Sequence, residues 1–370
     1  MANKAKTRRV LVMVTPVSRE RIEGISRFAR EHGWMLTIHD RLAGAAPGDD
    51  YDGILATLRS DEKVVRYIRR MAAAGASVVD LTVERPAINV PRVVSDHRMI
   101  GFMAGEHFKE RGFRRVAWYS SGWTNVHALR VAGLAESLGW EPERWVLRKD
   151  ADTTRKIKSA VKPVAVLAYS EAEAVHLLQL CLSAGLDVPD EMALLSIGDD
   201  PLITDNQPVP ISCIRQNFQL GGYEAAALLE KLMNGQRASA TPVMIPPEGI
   251  SVRRSTDTMA DDDPLIRSVL LYMRDNLNRP FGPEQIAEHL GISRSKLDKT
   301  CAARFGRSLG KEILATRLAE AKRLLREGEL NIDEVARCTG FCSAAYFIKK
   351  FGSAFGETPR KWRTMQIRSG

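Results

Sequence analysis

The chain has 370 residues, room for two or three domains, and its 44% apolar content is ordinary for a globular protein. No run of eighteen apolar residues occurs, so no membrane-spanning helix is expected. The basic start leads only into a strand-length apolar run, which excludes a secretory signal and places the chain in the cytoplasm as an expectation. The net charge of +9 is unevenly placed: residues 265–370 hold 20 Lys and Arg against 11 Asp and Glu, and the other 264 residues hold 34 of each. A basic segment beside a neutral one is the electrostatic footprint of nucleic-acid binding.

Taken in order, residues 9–14 read as a buried parallel strand and 18–32 as a helix with Ile22, Ile25, Phe28 and Ala29 on one face. Strands follow at 34–38 and 51–58, a helix at 61–74, and strands at 77–82 and 92–96. Helix 99–111, strand 114–120 and helix 125–138 continue the alternation. A strand at 145–147, a short basic helix, strand 164–168, helix 171–184, strand 192–197, helix 219–233 and a strand across 243–252 complete it. Strand and helix alternating through short joins give a parallel sheet covered on both faces. Roughly ten such units are too many for one sheet, so two Rossmann-like lobes are expected, with the first break at 96–100. Residues 253–264 are polar without apolar spacing and read as a linker.

The last third carries a duplicated motif. Ile286-Ala287, Gly291-Ile292 and Phe305-Gly306 match Val335-Ala336, Gly340-Phe341 and Phe355-Gly356. In each copy a small Ala allows two helices to approach, a Gly suits a turn at φ > 0, and an inward apolar residue (Leu297, Phe347) anchors the next helix. These are two helix-turn-helix units, about 283–305 and 332–355, joined by a helix at 309–327 that Gly328 ends. Ser293 or Ser295 caps the first recognition helix, exposing Arg294, Ser295, Asp298 and Lys299. In the second, Ser343, Ala344 and Tyr346 open the helix, with Lys349 and Lys350 one turn on. Arg294 is the expected base reader, because Arg pairs bidentately with guanine; Lys299, Lys349 and Arg360 are expected on phosphate.

The run Gly340-Phe-Cys-Ser-Ala-Ala-Tyr-Phe-Ile-Lys-Lys-Phe-Gly-Ser-Ala-Phe-Gly-Glu-Thr-Pro-Arg-Lys-Trp-Arg363 resembles the signature of the AraC/XylS family of transcription regulators, departing from it at Gly352 and Ser353. The preceding 250 residues resemble the LacI-type, periplasmic-binding-protein-like sensor through Val94-Ser-Asp96, Arg130-Val-Ala-Gly133 and Val188-Pro-Asp-Glu-Met-Ala-Leu-Leu-Ser-Ile-Gly-Asp-Asp200. The join of the two is similar to that of xylose-operon regulators, with departures at Ser170 and Ser196. The resemblance implies a sensor over 1–252, a linker over 253–264 and a DNA-binding domain over 265–370. It further implies an activator that binds double-stranded promoter DNA as a homodimer, meets RNA polymerase, and answers to xylose or another monosaccharide.

Small ligands of open α/β sheets sit beyond the strands' carboxyl ends, which singles out Thr15, Asp96, Tyr169, Ser170 and Asp199. By resemblance Asp96, Arg130 and Asp199 contact the effector, and Trp123 stacks on a sugar ring. An Asp after a strand is also a common helix cap, and Trp123 is also a packing residue. No cofactor, metal or catalytic residue is expected: the first strand lacks a Gly-rich phosphate loop, the seven His and five Cys show no ligand spacing, and no nucleophile elbow is read. Two rival readings remain at this point, a sugar-modifying enzyme with a DNA-binding tail and a ligand-independent DNA-binding protein.

Overall fold

The computed structural model describes residues 7–14, 18–39, 50–58, 62–147, 149–239, 241–327 and 330–369. Thr15 and Gly328, both singled out from sequence, lie outside them. The chain divides into two compact units, residues 1–257 and 258–370.

The first unit opens with β1 (Arg9–Met13), α1 (Arg19–Glu31), β2 (Met35–Ile38), β3 (Gly53–Ala56), α2 (Glu62–Ala73), β4 (Ser77–Asp80) and β5 (Val93–Ser95). It continues through α3 (His97–Glu110), β6 (Val116–Ser120), α4 (Asn125–Leu138), β7 (Glu143–Val146), α5 (Asp150–Ser159), β8 (Val164–Ala168), α6 (Glu171–Ser183) and β9 (Met192–Ile197). The short α7 (Pro201–Thr204), β10 (Ser212–Arg215), α8 (Phe218–Met233), β11 (Val243–Ile245) and β12 (Gly249–Ser251) end it.

Two lobes result. The first has a parallel sheet ordered β2-β1-β3-β4, with the β5–β11 pair joined to β4 through an Asp80–Arg92 bridge. The second has β12-β10-β9-β8-β6-β7, parallel except for β12. The strands β1, β3, β6, β8 and β9 are almost wholly apolar and buried, as strands covered on both faces must be. The chain crosses between lobes at three places: after β5, after β10 and after β11. Two of these were not read from sequence. The strand expected over 243–252 is two short strands in different lobes. β10 was missed altogether, because Ser212-Cys-Ile-Arg215 is short and closely preceded by Pro208 and Pro210.

Each lobe carries one helix pair in very close contact. In α3–α4, a Cβ on Gly101 would lie 1.9 Å from the Arg130 carbonyl oxygen, and one on Gly133 would lie 1.9 Å from that of Arg98. In α1–α8, a Cβ on Gly24 would lie 2.0 Å from the Gln219 carbonyl oxygen, and one on Gly222 would lie 2.2 Å from that of Arg21. Both pairs point their amino-terminal ends at the space between the lobes.

The segment read as a linker is not free chain. Ser255 and Thr256 are buried in a 3-10 turn at Arg254–Thr256. Ser255 Oγ donates to the Leu194 carbonyl (2.5 Å), and Thr256 Oγ1 meets Ser212 Oγ (2.7 Å) and His107 Nε2 (2.9 Å). Beyond it Thr258 and Asp261 are buried in the second unit, where Asp261 pairs with Arg304 at 2.6 Å. Part of the polar composition of 253–264, at Arg253, Ser255, Thr256 and Asp261, reflects side chains that bond within their own unit.

The second unit is all helix: α9 (Pro264–Asp275), α10 (Pro283–His289), α11 (Arg294–Phe305), α12 (Leu309–Glu327), α13 (Ile332–Cys338), α14 (Ala344–Phe355) and α15 (Pro359–Ser369). The helices α9 and α15 were not anticipated. α9 supplies Ile266, Val269 and Met273 to the first of two small cores, and Trp362 of α15 packs on the second.

Candidate effector cleft and nucleic-acid interface

Between the lobes of the first unit lies a cleft of about 350 Å³. Its walls come from residues one or two places past strand ends: Thr57 after β3, Thr82 after β4, Tyr169 and Ser170 after β8, Gly198 after β9 and Gln216 after β10. The cleft thus lies beyond the carboxyl ends of several strands, where open sheets place their ligands. The helix pairs add Ser18, Arg21 and Phe218 from one lobe, and His97, Val126 and Arg130 from the other. Glu84 and Glu171 are its carboxylates.

Arg130 is the fixed centre of the second lobe's wall. Its side chain is buried; Nη1 donates to the Tyr169 carbonyl at 3.0 Å and Nη2 reaches Gln216 Oε1 at 3.5 Å. The guanidinium lies 4.8 Å from the centre of the Tyr169 ring. That ring stacks on His127 at 4.0 Å, nearly parallel, and Trp123 continues the column at 5.9 Å with Arg144 over its outer face. Trp118 closes both rings edge-on. A planar cation held over an aromatic face cannot swing far, so this wall is preorganised.

Glu171 opens α6 behind its Ser170 cap. Its carboxylate accepts the Asp200 N–H at 3.3 Å and fills the space that a side chain on Gly198 would need; a Cβ there would come within 2.3 Å of Glu171 Oε1. Burial, helped by the charges of Asp200 and Asp199, raises the Glu171 pKa above its usual range.

Of the effector residues expected from sequence, the structure brings Arg130, Tyr169 and Ser170 to the cleft. Asp96 stands just behind the wall, its carboxylate capping α3 through the Met99 N–H at 2.9 Å. Asp199 faces away, accepting from Arg253 Nη2 at 2.7 Å and from Ser251 Oγ at 2.5 Å. Trp123 is the outer end of the stacked column. Arg21, Thr57, Thr82, Glu84, His97 and Gln216 were not named in advance. Thr57, Thr82 and Gln216 follow from the strand-end rule applied to every strand, β10 included. Arg21 had no such signal, because a basic residue in the first turn of a helix reads as solvent-facing.

Under the first lobe's wall, buried Asp80 accepts from the N–H groups of Leu58 (3.1 Å) and Thr82 (3.0 Å) and pairs with Arg92 at 3.2 Å. Burial pushes its pKa up to about 6, against these hydrogen bonds and the guanidinium.

In the second unit the two helix-turn-helix copies superpose in their logic. Ser293 caps α11 and Ser343 caps α14, each accepting a backbone N–H, and Gly306 and Gly356 end the helices at φ of 65° and 76°. Leu297 and Phe347 are fully buried, as expected of inward residues. Ser295, Lys299, Lys349 and Arg360 are exposed; Tyr346 is exposed, with Lys350 Nζ 5.4 Å from its ring centre; Ala344 is half-buried. Arg294 is held by Asp298 at 2.8 Å and by Glu284. The sequence also contains one Gly-x-Ser-x-Gly string, residues 306–310; it joins two helices, so it forms no strand-to-helix nucleophile elbow. Among the described residues no group of His, Cys, Asp and Glu is arranged to hold a metal ion, and no helix is long and apolar enough to cross a membrane.

Residues 105–256 match the model of a periplasmic binding protein-like domain, and residues 286–365 match that of a helix-turn-helix domain. Cleft, lobes and duplicated motif agree with the class the two matched domains describe, a DNA-binding transcription regulator with an AraC-type helix-turn-helix domain and a periplasmic-binding-protein-like sensor. Within that class the chain is similar to xylose operon regulatory proteins. It is 26% identical to that of Haemophilus influenzae over 93% of this chain and 94% of the relative, and 27% identical to that of Escherichia coli over 73% of each. The structure of a xylose-binding transcription activator shares the fold with a TM-score of 0.59 and 22% identity, covering 98% of this chain and 99% of that one. A cellobiose complex of a transcriptional regulator aligns with a TM-score of 0.54 and 21% identity, over 68% of this chain and 86% of that one.

Proposed function

We propose that this chain is a sugar-controlled transcription activator whose effector is D-xylose or a related monosaccharide. The observation that carries the reading is the cleft. It offers guanidinium, carboxylate, hydroxyl and amide groups from both lobes around a volume of about 350 Å³, beside an aromatic stack. Forked donors and carboxylates spanning adjacent hydroxyls are what a small neutral polyol needs. A ligand touching both lobes prefers the closed arrangement, and only such a differential preference lets it shift an equilibrium. The relatives named for the xylose operon support the choice of pentose. Ser170, where an acid stands in the xylose-type pattern, leaves Glu171 as the nearest carboxylate on that strand end.

In this reading the chain works in the cytoplasm as a homodimer on promoter DNA and meets RNA polymerase there. Ser295, Lys299, Ser343, Ala344, Tyr346, Lys349, Lys350 and Arg360 form its DNA-facing surface. Arg294 reads a base only after exchanging Asp298 or Glu284 for the guanine edge. Arg130, Tyr169 and Ser170 hold the effector, Trp123 supports the stack, and Asp96 acts through the helix it caps. Thermal-shift titration over pentoses, hexoses and sugar acids tests the effector: a rise in melting temperature with D-xylose or one close relative is expected. No shift with any monosaccharide sinks the sugar assignment. For DNA, Lys349→Ala should lower the salt slope of binding by about one unit, as one phosphate contact contributes.

A further inference from the structure

The two reading heads of the second unit share one helix. α12 gives Leu309 and Ile313 to the core of the first head, and Leu318, Ala321 and Leu325 to the core of the second. A single helix with nothing beside it is a bendable strut. Here something stands beside it.

Arg317 lies on α12 between the two cores. Its Nη2 donates to the carbonyls of Arg279 (3.1 Å) and Phe281 (3.3 Å), and its guanidinium sits 4.8 Å from the centre of the Phe281 ring. All three contacts fall on the loop between α9 and α10, which belongs to the first head. The second head's turn presses on the same loop. Gly340 is buried, and a Cβ there would lie 2.5 Å from the Leu277 carbonyl oxygen and 2.7 Å from that of Arg279. Its counterpart Gly291 has nearly the same φ, 63° against 69°, yet has nothing within 4 Å of the corresponding position. Both glycines serve a turn; only Gly340 also serves a close approach. The loop they grip is itself held, since buried Asn276 donates to the Tyr272 carbonyl at 2.7 Å and accepts from Arg279 Nε at 2.7 Å.

The geometry points to a clasp: Arg317 and Gly340 hold the 277–281 loop and thereby fix the rotational phase between the two recognition helices, so that the chain accepts its two half-motifs at one spacing only. The inference rests on α11 and α14 being the DNA-reading helices. Each base pair inserted between half-motifs turns the second one by roughly 34° around the duplex, since a turn holds about 10.5 base pairs. A clasped pair cannot follow that rotation, whereas two heads on a free helix can follow part of it. Arg317 and Gly340 are positioning residues, acting through the heads rather than on DNA.

The test uses the full chain. Duplexes are selected from a random library, and the enriched site is remade with one or two base pairs added or removed between its half-motifs. Affinities are then read by fluorescence anisotropy. The wild-type chain should lose about 30-fold in affinity at the altered spacings, the scale of one or two lost base contacts. Arg317→Met keeps the aliphatic stem against Phe281 and deletes the donors; it should shrink that spread to about threefold, with Arg317→Lys between. Should Arg317→Met fail to fold, judged by its melting temperature, the lysine variant makes the same comparison. Uniform weakening at every spacing would mean a merely structural role and overturn the clasp. So would a wild-type chain indifferent to spacing, or one that enriches a single half-motif. No enriched duplex at all would overturn the DNA-reading assignment itself, and the clasp with it.

Discussion

The two lobes of the sensor present an arginine each to the cleft, built on the same device and finished differently. In both, a glycine of the partner helix lies against the arginine's own carbonyl oxygen, Gly222 on Arg21 and Gly101 on Arg130. Helix pairs this close have no room for register error, so the backbone of each arginine is placed within tight limits. The side chains differ. Arg130 is buried, bonded to Tyr169 and Gln216 and laid over an aromatic column. Arg21 is half-buried and rests on Phe218, its guanidinium 4.6 Å from the ring centre. The difference teaches that the second lobe is the prepared half of the site, and the first lobe brings a more adaptable arm to it.

The largest expected effect comes from breaking what the lobes share. Gly101→Ala and Gly222→Ala each drive a methyl into a backbone carbonyl that cannot retreat without separating two helices. Each should cost about 3 kcal/mol or more in urea unfolding, the upper range of overpacking. Losses below about 1 kcal/mol would show that the helix pairs yield easily, and that the common frame is not rigid.

The second effect sharpens what separates the lobes. Arg130→Met should weaken binding of whichever monosaccharide shifts the wild-type melting temperature by about 100-fold, the loss of charge-assisted donors held in place beforehand. Arg21→Met should cost about tenfold, because a half-exposed side chain surrenders part of its gain to ordering and solvent. Calorimetric titration decides it. Equal losses, or a larger one at Arg21, would remove the asymmetry.

A smaller effect tests how the prepared lobe is tied to the chain's exit. Gly198 lines the cleft, and its neighbour Asp199 holds Arg253 and Ser251, from which the buried 3-10 turn continues. Asp199→Ala leaves Arg253 its contacts to Asp205 and the Ile211 carbonyl, so the loss should be about 2 kcal/mol, below that of an isolated buried pair. Amide exchange should speed up at Ser255, whose neighbours lose their anchor. Unchanged protection there would show that Asp199 is incidental to the exit segment.

How far these features were legible follows from range. Periodicity and strand-end position are local, so the alternating elements, the duplicated turns and two of the cleft residues, Tyr169 and Ser170, were readable, while Arg130 came from the family resemblance. The fixity of Arg130 depends on Tyr169 and Gln216, 39 and 86 residues away, and no local pattern carries that. Asp199 was assigned to the effector because its place after β9 is right; the sequence could not show that Arg253, 54 residues on, claims its carboxylate. The boundary between the two units does fall within the segment read as a linker, but its anchoring was hidden for a related reason. Ser255 and Thr256 look solvated until their hydrogen-bond partners in β9, β10 and α3 are known, and Asp261 until Arg304 of α11 is.

The last prediction sets the lobes against each other in acid. His107, buried in the second lobe against Thr256, has its pKa lowered to about 3 by burial, with the Arg111 charge adding to it. Unfolded, it takes a proton near pH 6.5; folded, it stays neutral. Its contribution is therefore complete above pH 6.5 and drains away as the pH falls from 6.5 toward 3. Asp80, under the first lobe's wall, has its pKa raised to about 6. Between 3.8 and 6 the folded chain keeps a proton that the unfolded chain has released, so stability falls as the pH rises through that window. The two slopes oppose each other from 3.8 to 6, at up to about 1.4 kcal/mol per pH unit each. Above 6 only the histidine slope remains. His107→Gln keeps a side chain able to hydrogen-bond Thr256 and removes the titration. Relative to the wild type, urea unfolding of this variant should then gain stability on acidification between pH 4 and 6, by up to about 1.4 kcal/mol per pH unit. A variant curve parallel to the wild type would mean that His107 is protonated in the folded second lobe.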